Sequence, residues 1–281
     1  MLWGSIDSVG NADGKPTSLR LEKGMAVQLP FRDRSAAGEQ LAQAIAAELA
    51  QSVESQTACH PIVYALPRGG LPVAEPVARQ LNCPLDLIVA KKITRPDNPE
   101  LAIGAVTADG CVLWGPQQRA GRNQIELRAA ALQQAQKKAK MQLEQLTAGR
   151  PQVNPDGAIA ILVDDGMATG MTMAVAAMSL RDRDLSGSFP PAPAKQSLRE
   201  KKQSSHTDNT LPKFQLQRPA AIWICAPVAP SGLAQSLGRW CDRAIILATP
   251  DPFLSVSRFY KEFPQIEIEE ALTCLQQYKW E

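Results

Sequence analysis

The sequence predicts an α/β fold with a mainly parallel sheet flanked by helices. Three observations carry that prediction. Short apolar runs recur at 61–66, 85–90, 158–163, 221–226 and 244–247, bounded by turn residues. Helix-patterned stretches follow several of them, at 73–81, 171–180 and 231–240. The runs are apolar almost throughout rather than alternating, which fits strands covered on both faces.

Taken in order, residues 1–26 are rich in Gly, Ser and Asp without a sustained period and read as an irregular N-terminal extension. The rest, 27–281, reads as one domain. Leu41, Ile45, Leu49 and Val53 recur every four positions and predict a helix over 35–53, with Ser35 as its N-cap. The first apolar run ends in Pro67-Arg68-Gly69-Gly70, and the second is closed by Lys91 and Lys92. Runs at 101–107 and 111–114, joined by Ala108-Asp109-Gly110, predict an antiparallel hairpin. The Gln/Lys/Ala-rich stretch 123–147 predicts a solvated helix. Residues 182–217, rich in Pro, Ser, Lys and Gln, bury too little apolar surface to offset the entropy of ordering and predict a disordered insertion. Beyond Pro250 the chain carries Phe253, Phe259, Tyr260 and Phe263 before a last helix at 267–278.

Composition narrows the function classes. The 281 residues hold 30 Lys+Arg against 28 Asp+Glu, a formal net charge of +2, which disfavours a nucleic-acid-coating role. The longest apolar run, 220–226, falls far short of the ~20 residues of a spanning helix, so no membrane partner is expected. No basic segment followed by an apolar one opens the chain, and the six cysteines form no C-x-x-C pair; reduced thiols in a cytoplasmic protein are the expectation. His60 and His206 lie far apart, which argues against His-ligated zinc and a His-dependent triad. No metal site built by the protein alone is expected.

The motif with the most chemistry is Ile161-Leu-Val-Asp164-Asp165-Gly166-Met167-Ala168-Thr169-Gly170-Met171-Thr172. A buried strand delivers two adjacent carboxylates to the carboxyl edge of a parallel sheet, where ligands bind. The turn that follows leads into a helix N-terminus, and its glycines and threonines can present N–H and O–H donors to an anion. Carboxylates beside a phosphate cradle need partners of their own, and vicinal sugar hydroxyls are suitable donors, so the pair of features fits a sugar phosphate. Capping and packing alone need only one of these acids. Neither G-x-x-x-x-G-K-[ST] nor a strand-to-helix G-x-G-x-x-G occurs, so a P-loop nucleotidase and a dinucleotide fold are unsupported.

From about Phe31 onward, outside 182–217, the chain resembles the type I phosphoribosyltransferases. It is most similar to a group of unassigned acceptor that shares FRDR-x-x-AG, LPRGG, NPELAIGAV and DDGMATGMT. The resemblance implies a lid hairpin and a small hood beside the sheet. It implies phosphoribosyl pyrophosphate as substrate, its ribose hydroxyls held by Asp164 and Asp165. The 5′-phosphate falls to the turn Gly166, Met167, Ala168, Thr169, Gly170, Met171 and Thr172, and the pyrophosphate to Arg68, Gly69, Gly70 and Lys91. Mg²⁺ is implied as the cofactor, held mainly by substrate oxygens and water.

The segment 93–100 and the hairpin after it correspond to the lid, and at least one of Lys91 and Lys92 is expected to reach pyrophosphate. Lys92 and Glu100 are the expected catalytic residues, Glu100 as general base. Ala168 stands where enzymes acting on 6-oxopurines carry an aspartate, which disfavours hypoxanthine or guanine as acceptor. Phe259 and Tyr260 are candidates to stack on a planar acceptor in the hood, with core packing as the other reading. The expected activity is transfer of the phosphoribosyl group to an acceptor nitrogen, with homo-oligomerisation left open. The rival is a sensor of the same ligand that does no transfer. A hydrolase lacks a nucleophile beside a base.

Overall fold

Apolar runs with little alternation become strands packed on both sides. The computed structural model describes residues 18–21, 29–53, 60–95, 97–115, 122–151, 153–181 and 218–280. In chain order the elements are β1 (Ser18–Leu21), α1 (Arg34–Val53), β2 (Pro61–Ala65), α2 (Leu71–Leu81), β3 (Leu85–Leu87), β4 (Ala90–Arg95), β5 (Asn98–Thr107), β6 (Val112–Trp114) and α3 (Arg122–Thr147). There follow β7 (Ile159–Val163), α4 (Met171–Arg181), β8 (Ala221–Val228), α5 (Leu233–Leu237), β9 (Arg243–Ala248) and α6 (Ile268–Gln277). A six-stranded sheet runs β1-β9-β8-β7-β2-β3, every neighbouring pair parallel, and a separate antiparallel sheet runs β4-β5-β6.

Successive side chains of a strand point to opposite faces, and the core divides accordingly. Val63, Ile161, Trp223 and Ile245 pack with Leu41 and Ile45 of α1 and Leu71 and Val77 of α2. Ile62, Tyr64, Leu162 and Ile224 pack on the other face with Met173 and Ala177 of α4. Burying an aliphatic side chain of this size contributes roughly 1.5–3 kcal/mol, so the sheet is anchored from both sides. Among the described residues no helix is long and apolar enough to cross a membrane.

Several boundaries differ from the sequence reading. Within the stretch read as an irregular extension, Ser18–Leu21 forms an edge strand along β9. An edge strand has a single neighbour, and four residues are too few to show a period. The apolar run 85–90 is two strands in two sheets: the N–H of Ile88 still bonds to Ala65 O at 3.1 Å, whereas the carbonyl of Val89 accepts from Ala108 N at 2.9 Å. Both side chains stay buried, so the apolar run conceals the switch. Lys91 and Lys92 therefore lie inside β4 rather than at the end of a parallel strand. The expected hairpin is β5–β6, extended at its start to Asn98.

Asp33, not Ser35, caps α1: its Oδ1 accepts the Ala36 N–H at 2.8 Å. That bond, with help from Arg32, holds the Asp33 carboxyl below its ordinary range. The helix read as solvated, α3, buries Ala131, Ala135 and Ala139 at four-residue spacing, a stripe of small residues that composition does not reveal. Helix α6 opens with a reciprocal capping box between Glu267 and Glu270. The insertion 182–217 lies outside the described residues.

Candidate active site

Adjacent positions in the sheet place the ends of β2 and β7 side by side. Ala65 pairs with Val163, and the Leu66 N–H continues the ladder to Val163 O at 2.9 Å. Each strand then turns sharply, β2 into 67–70 and β7 into Asp164–Asp165. Contact between the turns depends on absent side chains. A Cβ at Gly70 would lie 2.6 Å from Leu66 O and 2.7 Å from Val163 O, and one at Gly69 would lie 2.3 Å from Asp165 Oδ2. The Pro67–Arg68 peptide is cis. The Gly70 N–H is taken by Leu66 O at 3.0 Å, so this glycine serves close packing, whereas the Gly69 N–H has no partner among the described residues.

These turns border a cavity of about 910 Å³. Asp164, Asp165 and Thr172 line it from the β7 side, Arg68 and Gly69 from the β2 turn, and Lys91 and Lys92 from β4. Lys138, Met141 and Gln142 of α3 form a further wall, and Phe263, Pro264 and Ile266 another. The side-chain oxygen of Gln142 is buried there without a partner among the described residues.

Burial pushes the Asp164 carboxyl well above the ordinary carboxylate range, and the neighbouring Asp165 charge adds to that rise. Burial also raises Asp165, opposed by a hydrogen bond from Arg34. The opposite side is basic. Burial lowers the Lys91 ammonium below its ordinary range, and the like charges of Arg68 and Lys138 push the same way. Arg68 also lies 3.8 Å from Glu267.

After Asp165 the turn has two kinds of residue. Met167 is buried in the core with its N–H on Val228 O at 2.9 Å, so it serves as an anchor. A Cβ at Gly166 would come within 2.6 Å of Val256. Ala168 and Thr169 are exposed, and Gly170 adopts φ +70°, a conformation open to glycine. The N–H groups of Ala168, Thr169, Gly170 and Thr172 have no partner among the described residues, while Met171 N–H leans on Thr169 Oγ1 at 3.5 Å. Unpaired donors at the N-terminus of an eleven-residue helix are the chemistry an anion would meet there.

Of the remaining expected residues, Glu100 belongs to β5 and its side chain lies outside the described residues. Neither Phe259 nor Tyr260 lines the cavity. Phe259 packs on Phe253 with ring centroids 5.1 Å apart, and Tyr260 is buried, its hydroxyl donating to Asp165 O at 2.5 Å. The hood aromatic on the cavity is Phe263.

Sequence reasoning also passed over Arg34. Its Nε donates to Asp165 Oδ2 at 2.8 Å, its Nη1 donates to Pro264 O at 2.7 Å, and its Cζ lies 3.6 Å from the Phe263 ring centroid. The charge-dense FRDR stretch around it was the available signal.

Residues 35–188 match the phosphoribosyl transferase domain. Two proteins from strains of Mycobacterium tuberculosis, each named "Putative phosphoribosyl transferase", are 30% identical over 249 residues, covering 87% of this chain and 46% of theirs. The chain thus spans about half the length of these curated relatives. The crystal structure of TT1426 from Thermus thermophilus is similar with a TM-score of 0.60 at 26% identity, covering 88% of this chain and 98% of that one. With an adjacent acid pair and a donor-bearing turn at the carboxyl edge of a parallel sheet, and with the domain match spanning more than half of its length, the chain belongs to the phosphoribosyl transferase domain family.

Proposed function

We propose that the protein transfers the phosphoribosyl group of phosphoribosyl pyrophosphate to an acceptor nitrogen and releases pyrophosphate. One observation carries this reading: a single cavity joins two half-buried carboxylates to a basic wall of Arg68, Lys91 and Lys92, with the donor-rich turn 168–172 alongside. A pentose bearing a 5′-phosphate and a C1 pyrophosphate has complementary parts in that order. Asp164 and Asp165 accept from the 2′ and 3′ hydroxyls, the turn N–H groups donate to the 5′-phosphate, and Arg68 with the lysines opposes the pyrophosphate charge. Binding pyrophosphate would also relieve the repulsion among Lys91, Arg68 and Lys138.

Mg²⁺ fits this cavity as a group carried in by the substrate. Among the described residues no cluster of three or more His, Cys, Asp or Glu could hold an ion unaided, and the two carboxylates on the cavity would add to oxygens from pyrophosphate and water. When bound, the ion supplies charge neutralisation of the leaving pyrophosphate. The chain's own residues orient the ribose, fix both anionic ends and face C1 toward the acceptor. Departure of pyrophosphate builds positive charge at C1 that water would intercept, so exclusion of solvent by the β4–β5 arm suits the chemistry.

The acceptor end is assigned to the partly apolar wall of Met141, Gln142, Phe263 and Ile266. Glu100 is the assigned carboxylate for removing the acceptor proton, and Lys92 the assigned charge beside the reacting centre. A screen of purines, pyrimidines and other amines for acceptor-dependent pyrophosphate release with Mg²⁺ tests the reading. Release with at least one acceptor is expected; tight binding with release by none would favour the ligand sensor.

A further inference from the structure

A buried arginine in the first turn of a helix is in an unfavourable place for a cation, because the macrodipole there is positive and the guanidinium is cut off from water. Arg34 is 7% exposed and stands at the start of α1, so its environment must compensate. Compensation comes from two segments distant in sequence: the carboxylate of Asp165 after β7, and the carbonyl of Pro264 with the ring of Phe263 ahead of α6. The planar fork makes this possible. Nε and Nη1 reach different acceptors while the plane lies over an aromatic face, and a lysine ammonium cannot do all three.

We propose that Arg34 is a positioning residue that ties the diol-binding carboxylate of Asp165 to the Phe263–Pro264 wall of the acceptor end, setting the two subsites at a fixed separation. The inference rests on the phosphoribosyl transfer reading and adds to it a residue outside both strand-end motifs. Asp165 is reached through Oδ2, which leaves the carboxylate a second oxygen for the ribose. The wall is held at a backbone carbonyl, so its position does not depend on the rotamer of Phe263.

The groups facing Asp165 show what Arg34 alone supplies. Asp164 follows the same strand and repels it; Tyr260 meets its carbonyl rather than its carboxylate; Lys92 on β4 and Arg68 in the β2 turn line the shared cavity. Arg34 is the cation in direct hydrogen-bond contact. Without it, that carboxylate loses the donor that fixes its Oδ2, and the diol meets an acceptor free to turn away.

Titration calorimetry with phosphoribosyl pyrophosphate and Mg²⁺ on the wild type, Arg34→Gln and Arg34→Lys tests the proposal together with hydrogen exchange across 261–267. Expected is an Arg34→Gln affinity at least tenfold below wild type, with Arg34→Lys within about threefold of it. Exchange across 261–267 should rise in both variants, because neither can bond to Pro264 and stack on Phe263 together. Wild-type-like binding by Arg34→Gln, an equal deficit shared by Arg34→Lys, or unchanged exchange would overturn it. A wild type that does not bind the ligand would instead overturn the parent reading, a result separable from failure of the variants alone.

Discussion

Gly69 and Asp165 interlock: a Cβ on the glycine would stand 2.3 Å from the Oδ2 of the aspartate, inside any real contact distance. That oxygen is also the one gripped by Arg34 at 2.8 Å, so the carboxylate can yield only by giving up that bond. The turns after β2 and β7 are therefore one packed unit. Gly69→Ala should displace the Asp165 carboxylate and weaken phosphoribosyl pyrophosphate about 10–100-fold, the equivalent of one charged hydrogen bond. Calorimetry checks this, and circular dichroism should show the fold retained.

Asp164 predicts a trade between stability and binding. Its folded carboxyl is pushed well above the ordinary value of 3.8, so the folded state holds a proton that the unfolded chain has released. Stability is then greater below that raised range and falls as pH climbs through it. Above that raised range the ionised acid is a cost. Asp164→Asn keeps an Oδ1 for the Asp165 N–H, an existing bond of 2.9 Å, while removing the charge. The variant should melt higher than wild type at pH 7, at about 2–4 °C per kcal/mol gained, and should bind phosphoribosyl pyrophosphate more weakly. Scanning calorimetry at pH 5 and 7 is the check, with the gain shrinking at the lower pH.

Lys91 gives a proton-linkage prediction. Burial and the charges of Arg68 and Lys138 depress its ammonium below the ordinary 10.5, so at alkaline pH part of it is neutral in the free protein. A bound pyrophosphate favours the charged form, and binding should draw in a proton. Titrations at pH 9 in buffers of different ionisation enthalpy should give different apparent heats, and Lys91→Met should abolish the difference. Identical heats for the wild type would contradict the account.

Tyr260 is predicted to act on stability. Its hydroxyl meets the Asp165 carbonyl at 2.5 Å, and the ring is buried against Phe31 and Phe263. Tyr260→Phe leaves a backbone carbonyl short of a partner and should cost roughly 1–3 kcal/mol in denaturant unfolding. Acceptor preference should be unchanged, because the ring does not line the cavity.

The parallel sheet and both strand-end turns were legible because their residues are contiguous: Ile161–Thr172 carries its strand, acids, turn and helix start in one stretch. What stayed hidden lies between segments. Arg34 meets Asp165 across 131 positions and Pro264 across 230, and the charge-dense FRDR stretch marks it without showing which partners it reaches. Phe259, Tyr260 and Phe263 are equivalent by composition; the bridge of Tyr260 to Phe31 and its bond to the Asp165 carbonyl hold it inward, while Phe263 lines the cavity. The β3–β4 switch was masked because Ile88 and Val89 are buried in whichever sheet they serve.

The proposed function requires one cavity to grip a pentose by its diol and by its anions. The most direct measurement is a calorimetric titration of phosphoribosyl pyrophosphate with Mg²⁺ into the wild type and the Asp164→Asn/Asp165→Asn double variant. The account predicts saturable binding by the wild type and its loss in the double variant, each missing charged hydrogen bond costing ~1.5–3 kcal/mol. Equal affinity in the two proteins would contradict it.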